Sequence, residues 1–268
     1  MSGGVCAVML VKDEADIIET TIRHLLWHVD EVLVADNMST DATPDILMTL
    51  IEEFGERLQV HGDLEVGYYQ DRKTTGLAME ALARGHRWVV PVDADEIWQH
   101  NDPRVRIKDH LGGVGPDVGI WRVPVFNHLC TTSDDTYQEN PVKRIRWRQR
   151  KPGMFKVICR LRPDLYIEMG NHGAQTNGRT LTVDGPFNVR HFSWRSEQQF
   201  LRKIKNGRTA YAATSLPATY GVGWRCYDGD SDEQIKASFH NAFEIGQPHD
   251  DITLIEDPAP LREGRHHQ

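Results

Sequence analysis

Two aspartates one residue apart, Asp93 and Asp95, with Glu96 directly behind them, close an apolar run that begins at Trp88. Carboxylates are hard oxygen ligands, and a convergent pair suits Mg²⁺ or Mn²⁺, which often take substrate phosphates as further ligands. In extended chain, residues i and i+2 point to the same side, so this spacing aims Asp93 and Asp95 together. The tripeptide alone is a common one, since it recurs as Asp228-Gly229-Asp230 and Asp230-Ser231-Asp232. There the default is a turn and a helix N-cap: an EF-hand loop would require a glycine and a glutamate where the chain has Glu233 and Phe239. Position separates the first copy from the others. A continuous β-branched apolar run reads as a strand covered on both faces, and open α/β sheets bind ligands beyond the carboxyl ends of their strands.

The elements that must carry these acids follow from periodicity. Val5–Val11 is a second buried strand, stopping at Lys12-Asp13-Glu14, with Asp13 placed to cap the helix that follows. Ile18, Ile22, Leu25, Leu26 and Val29 form one apolar helical face. Glu31–Asp36 is a strand ending in an acid, and Thr43-Pro44-Asp45 supplies a capping hydroxyl, a first-position proline and a first-turn acid for the next helix. A short strand over 58–60 and a helix over 72–84 lead, through Gly85-His86, to the strand at Trp88. This alternation implies βαβ units, a parallel sheet and right-handed crossovers, with the acidic strand ends along one edge.

The second half reads as a mixed β/α region. A strand over 118–126 contains Pro124, which demotes it toward a sheet edge. Short strands are expected over 143–147, 155–161 and 181–183, and residues 187–192 alternate well. Ser196-Glu197-Gln198-Gln199 has capping-box form. It opens a helix with Phe200, Leu201, Ile204 and Tyr211 inward and Arg202, Lys203, Lys205 and Arg208 outward, which Gly207 ends or bends. A last helix is expected over 232–243.

A chain of 268 residues with 39% hydrophobic composition suits one continuous fold with a substantial core. A formal net charge of −8 argues against general nucleic-acid affinity, while leaving room for a local basic patch. Cys6, Cys130, Cys159 and Cys226 are widely spaced without a Cys-x-x-Cys pair, which reads as free thiols. No basic segment precedes the first apolar run, and no stretch approaches the ~20 apolar residues of a membrane span, so a cytoplasmic protein is expected. The pair His266-His267 in the polar tail is too short to read as a metal site.

Three of these segments resemble the family 2-like nucleotide-sugar glycosyltransferases of the GT-A fold. They are residues 10–18, Ala35-Asp36-Asn37-Met38-Ser39-Thr40-Asp41, and Val92-Asp93-Ala94-Asp95-Glu96. The run Val189-Arg190-His191-Phe192-Ser193-Trp194-Arg195-Ser196 resembles a looser segment of the same branch. The resemblance implies a Rossmann-like α/β fold, a mostly parallel sheet flanked by helices. It implies a transferase domain over residues 1–215, with a donor half to about residue 100 and an acceptor half beyond it; residues 216–268 lie beyond the resemblance and read as a helical extension and polar tail. It also implies a nucleotide-sugar donor, UDP-sugar favoured, with Mn²⁺ or Mg²⁺ as cofactor. Asp36 would bind base or ribose with Glu14 nearby, and Arg72 would approach the phosphates. Asp93 would face ribose and metal, Asp95 would ligate the metal, and His191 would be its C-terminal ligand. The chain departs from the pattern in carrying Asp13 where the family commonly has asparagine.

The chemistry is coherent on its own terms. A departing nucleoside diphosphate gains negative charge, which a cation held by Asp93 and Asp95 would offset. An inverting transfer also needs a general base, for which Asp135 and Glu168 are the candidates and Glu96 a lesser one. Each assignment has a plain alternative. His191 shares an alternation face with Phe187 and Val189 as a core histidine would, leaving His172 in its Gly-flanked turn as the competing ligand. Asp36 could cap its own turn, Glu14 could favour a helix N-terminus, and Arg72 could be a solvated helix residue. Between Lys143 and Arg162 lie nine basic residues and no acid. Arg146, Arg148 and Arg150 there are candidates for gripping an anionic acceptor such as DNA or RNA, or else they line solvated strand faces. The competing functions are a sugar-phosphate nucleotidyltransferase and a non-catalytic nucleotide-sugar or nucleic-acid binding module. The first is disfavoured because Val11-Lys12-Asp13-Glu14-Ala15 lacks the glycine-rich loop such enzymes carry.

Overall fold

Alternation along the first strand divides the core. Val5, Ala7, Met9 and Val11 pack with Ile18, Ile22 and Leu25 on one face of the sheet, and with Leu47, Leu50 and Phe54. Cys6 and Val8 pack with Leu77, Ala78 and Ala81 on the other. A strand buried on both sides must be apolar throughout, which is why it reads as a continuous hydrophobic run. The computed structural model describes residues 3–178, 180–242, 244–245 and 254–262. The expected helix end at Phe243 and the pair His266-His267 lie outside the described residues.

The first half alternates β1 (Val5–Val11), α1 (Ile18–His28), β2 (Glu31–Asp36), α2 (Thr43–Phe54), β3 (Leu58–Gly62), α3 (Gln70–Ala83) and β4 (Trp88–Asp93). These strands pair in parallel in the order β3-β2-β1-β4. That is the 3-2-1-4 order of a nucleotide-binding half, with the order reversing at β1 and β4. The expected α/β class, a mostly parallel sheet flanked by helices with a mixed second half, is the architecture observed.

Beyond β4 the chain continues through β5 (Glu96–His100), α4 (Ile107–Gly112), β6 (Val118–Thr131), α5 (Pro141–Arg144), β7 (Trp147–Gln149), β8 (Met154–Arg160) and the β9 (Tyr166–Ile167) and β10 (Ala174–Gln175) pair. It ends with β11 (Leu181–Asp184), β12 (Phe187–His191), α6 (Glu197–Ala212), α7 (Val222–Arg225), α8 (Asp232–Ala242), β13 (Glu244–Ile245) and β14 (Leu254–Glu256). β8 joins the halves, running antiparallel to both β4 and β6.

Several expectations are corrected. Residues 143–147 are not a strand. Asn140 accepts a hydrogen bond from the Val142 amide at 3.0 Å and caps the helical turn α5, whose first residue is proline, and β7 starts only at Trp147. Pro124 does not push its strand to an edge, because β6 pairs with β7, β8, β11, β12 and β13. On its parallel side β11 registers only as far as Arg122 and β12 only from Val125, so Pro124 falls in the gap where no amide is required. Gly207 does not end α6, which runs on to Ala212. A Cβ there would meet the Trp224 ring at 2.7 Å, so the glycine permits close packing.

Two caps also differ. Asp13 does not cap α1. It sits at φ 55°, a conformation that Asp and Asn tolerate. Its carboxylate accepts from the Thr40 amide at 2.6 Å and from Asn206 Nδ2 at 2.6 Å, tying the β1–α1 loop to the β2–α2 loop and to α6. Thr43 is already helical, with Pro44 second, and its hydroxyl accepts from the Glu14 amide at 2.9 Å. Ser196 caps α6 as expected, accepting from the Gln199 amide at 3.2 Å, while the Gln199 side chain returns to the Arg195 amide at 3.1 Å.

Candidate active site

A cleft of about 350 Å³ opens where the strand order reverses, at the carboxyl ends of β1 and β4. Lys12 and Glu14 follow β1, Asn37 and Asp63 follow β2 and β3, and Asp93 and Asp95 follow β4 along its wall. His172 and His191 close it from the second half, and Lys203, Asn206, Gly207 and Ala210 line it from α6.

Asp93 and Asp95 reach the cleft by a different route from the one their spacing suggests. β4 ends at Asp93, and Ala94-Asp95 is a tight turn before β5, so strand alternation does not relate the two side chains. Each is held by its own lysine. Asp93 Oδ1 accepts from Gln70 Nε2 at 3.0 Å and Asn171 Nδ2 at 3.1 Å, and Oδ2 from Lys156 Nζ at 2.5 Å. Lys156, 1% exposed, also lies 3.1 Å from Glu96 Oε1. Burial opposes its charge, but Asp93 and Glu96 outweigh burial and hold its pKa above the ordinary lysine value. Glu96 is fully buried, accepting from the Asp93 amide at 3.0 Å and Trp98 Nε1 at 2.9 Å, and burial raises its pKa. It supports Asp93 from behind rather than facing the cleft.

Asp95 is 2% exposed and surrounded by cations. Lys203 Nζ bonds its Oδ2, Arg195 Nη1 lies 3.7 Å from the same oxygen, and His191 Nε2 lies 3.5 Å from Oδ1. Despite burial, these neighbours hold the carboxyl well below the usual range. Burial disfavours the imidazolium of His191, yet Asp95 prevails and raises its pKa. Sheet register brings this about, because β12 pairs antiparallel with β5 and sets His191 opposite Glu96. His191 is therefore a cleft residue with partners in Asn127 Oδ1 at 3.0 Å and Ser193 Oγ at 3.0 Å.

Arg195 fixes the base of this cluster. It bonds Asp16 through Nε and Nη2, both at 2.8 Å, reaches Glu14, and donates to the Phe192 carbonyl at 2.9 Å. Glu14 Oε1 is also 3.2 Å from Lys203 Nζ, so Glu14 belongs to the cleft, as a partner of cations.

Other expected residues stand elsewhere. Asp36 accepts from Ser39 Oγ at 2.5 Å and the Ser39 amide at 3.3 Å, capping its own turn, and its neighbour Asn37 lines the cleft instead. Arg72 is exposed, bonded to Glu65 and stacked 4.8 Å from the Tyr69 ring. Asp135 is exposed and caps its turn through the Tyr137 amide at 3.0 Å. Glu168 accepts from Gln175 Nε2 at 2.9 Å. None of these four lines the cleft. His172 does, and its Nδ1 lies 2.8 Å from the Phe155 carbonyl, which requires Nδ1–H and leaves Nε2 as an acceptor. Burial lowers its pKa and favours the neutral ring.

Part of the basic run is paired with acids in three dimensions. Arg146 pairs with Glu256 at 2.7 Å, and Arg148 pairs with Asp257 while stacking 4.1 Å from the Phe126 ring. Lys156 is in the core, Arg162 pairs with Asp164 at 3.0 Å, and Arg150 is exposed. The acids that answer Arg146 and Arg148 lie about a hundred residues downstream, on and just after β14.

Lys156, Lys203 and Arg195 were not among the expected site residues. A signal for Lys203 was present: residues 203, 206, 207 and 210 recur at i, i+3, i+4 and i+7, a single helical stripe, and that stripe faces the cleft. For a divalent ion, Asp95 and His191 are adjacent oxygen and nitrogen ligands. Among the described residues no group of three or more His, Cys, Asp or Glu side chains gathers as a metal cage, so the expected trio with Asp93 does not close. An ion taking one or two protein ligands, with the rest from diphosphate and water, fits this set.

No family model and no curated protein matches the chain. Among solved structures it is similar to S. aureus TarS 1-349 in complex with UDP, at 12% identity and TM-score 0.41 over 90% of this chain and 75% of that one. It is similar to the mannosyltransferase PcManGT from Pyrobaculum calidifontis in complex with GDP-Man and Mn²⁺, at 14% identity and TM-score 0.45 over 91% of this chain and 77% of that one. GalNAc-T7 with UDP, GalNAc and Mn²⁺ gives 11% identity and TM-score 0.44 over 89% of this chain and 57% of that one. Similarity this distant assigns no residue a role. Among the described residues, no helix is long and apolar enough to cross a membrane.

Proposed function

We propose that the protein transfers a sugar from a nucleoside-diphosphate sugar, with UDP-sugar the first choice, to an acceptor hydroxyl. The observation that carries this reading is the meeting of Asp93, Asp95, His191 and Lys203 at the point where a 3-2-1-4 parallel sheet reverses its order. A cleft at such a reversal takes a nucleotide, and the acids at its floor suit a diphosphate accompanied by a cation.

Asn37 and Asp63, at the ends of β2 and β3, frame the base and ribose end of the cleft. Lys73, 2.5 Å from Asp63, and Lys12, donating to the Asn37 carbonyl at 2.6 Å, stiffen that wall. Asp93, held by Gln70, Asn171 and Lys156, presents a fixed carboxylate to the ribose and diphosphate. Asp95 and His191 would hold Mn²⁺ or Mg²⁺, which when bound offsets the charge of the departing nucleoside diphosphate. The acceptor's proton needs a base within hydrogen-bond reach. His172, neutral and with Nε2 as an acceptor, meets that need from the cleft wall better than the exposed Asp135 or the outlying Glu168.

The test is incubation with UDP-, GDP- and dTDP-sugars and Mn²⁺, with release of nucleoside diphosphate read by chromatography. Release from one donor, abolished in Asp95→Asn, is the expected result. Pyrophosphate release from a nucleoside triphosphate would replace this reading with nucleotidyl transfer. Binding of donor with no turnover in the presence of any hydroxyl acceptor or water would reduce it to a binding module.

A further inference from the structure

Lys203 carries a charge that a sugar-transfer site built of acids and imidazole alone does not use. Its ammonium bonds Asp95 Oδ2, lies 3.2 Å from Glu14 Oε1 and sits 6.0 Å from the Trp194 ring. Three acids meet here, Glu14, Asp16 and Asp95, bonded by Arg195 and Lys203, with His191 Nε2 3.5 Å from Asp95 Oδ1. Asp95 Oδ2 already carries the Lys203 ammonium, with Arg195 Nη1 3.7 Å away, so a divalent ion on Asp95 would add positive charge beside them and something must yield.

These three groups are not equally able to yield. The Arg195 side chain is 0% exposed and bonded to Asp16, Glu14 and the Phe192 carbonyl. His191 is 16% exposed and held by Asn127 and Ser193. Lys203 is 23% exposed, stands on a flexible four-carbon stem and lines the open cleft. Resting on the reading above, we infer that Lys203 is a tethered counter-ion: it neutralises Asp95 before substrate arrives, yields that carboxylate to a divalent cation, and delivers its ammonium to the donor's diphosphate. Two cations on one buried carboxylate repel each other, so cation and diphosphate must bind with positive coupling. The diphosphate supplies the place to which Lys203 moves.

Mn²⁺ binding to the full chain, followed by electron paramagnetic resonance alone and with UDP or GDP, tests this without turnover. In Lys203→Gln, Mn²⁺ alone is expected to bind roughly tenfold tighter than in wild type or more, and the nucleotide at saturating Mn²⁺ roughly tenfold weaker. Lys203→Arg keeps the charge and stays close to wild type in both. Wild type supplies a reading independent of any variant's folding. Reductive methylation of Lys203, followed by mass spectrometry, should speed up on adding Mg²⁺ and slow again on adding UDP or GDP. Mn²⁺ affinity equal in wild type and Lys203→Gln, with Asp95→Asn still abolishing Mn²⁺ binding, overturns the counter-ion role and leaves sugar transfer standing. An unchanged methylation rate does the same. Failure of wild type to bind Mn²⁺ or either nucleotide overturns both readings together.

Discussion

Replacing Lys156 by methionine removes one charge from the core and nearly nothing else, because the unbranched thioether follows the path of the lysine stem. Lys156 is 1% exposed and bridges Asp93 Oδ2 at 2.5 Å and Glu96 Oε1 at 3.1 Å. Removing one partner of a buried ion pair costs about 3–5 kcal/mol, most of it the penalty of the charge left behind. Two features place this site at the low end. The Asp93 side chain is 33% exposed and keeps Gln70 and Asn171 as donors. Glu96 is 0% exposed but escapes its charge by taking a proton, since burial already raises its pKa.

A carboxyl whose folded pKa exceeds its unfolded value of about 4.3 binds more protons folded than unfolded, so the stability it contributes falls as pH rises through that window. The Lys156→Met deficit should therefore be about 3 kcal/mol at about pH 7.5 and clearly smaller at about pH 5.5. Urea melts of wild type and variant at the two pH values measure it. Adding Glu96→Gln to Lys156→Met should recover more than half of the deficit and flatten its pH dependence. A deficit under about 1 kcal/mol, or one equal at both pH values, would refute the idea that a buried charge pair braces Asp93.

His172→Gln should lower the rate of sugar transfer by roughly 10²–10⁴-fold while leaving the affinity for the nucleotide sugar near wild type, because the ring is assigned to the acceptor's proton and not to the donor. An equal loss in both parameters, measured by steady-state kinetics, would assign His172 to donor binding. Gly207→Ala should destabilise by roughly 1–3 kcal/mol and shift tryptophan fluorescence, since its new Cβ would stand 2.7 Å from the Trp224 ring. An unshifted spectrum and melt would show that the α6–α7 contact gives way freely. DNA and RNA should not be retarded in a low-salt gel, because Arg146 and Arg148 are matched by Glu256 and Asp257. A salt-sensitive shift lost in Arg150→Ala would restore the anionic-polymer acceptor.

The parts of this molecule legible in its sequence are those whose cause is local. β1, β2 and β4 have apolar interiors because both their faces are buried, and that locates the strands. The Ser196 cap is a three-residue event and is equally readable. Pro124 shows where locality ends: its penalty depends on whether a neighbour needs its missing amide, and that neighbour is split between β11 and β12, some sixty residues away. The partners of Arg146 and Arg148 are hidden from a local reading for the same reason, since they lie on and just after β14.

The site obeys the same rule more severely. Asp93 and Asp95 look like a pair in sequence because they are two apart, yet a turn separates them, and each is completed by a lysine from a distant element. A lysine read locally belongs on the surface, since its type is seldom buried unless paired, and pairing is settled only once β8 and α6 have packed. What local reading can supply is a contradiction to be resolved: Lys203 shares a helical stripe with Asn206, Gly207 and Ala210, on a helix whose other stripe is the core residues Phe200 and Ile204. A charge on a stripe beside the core, at the helix end nearest the acids of β1 and β4, has somewhere inside the molecule to go. Its destination follows from charge: Asp95 is buried as an anion, and Lys203 bonds its Oδ2 while Arg195 and His191 lie against it from the other sides.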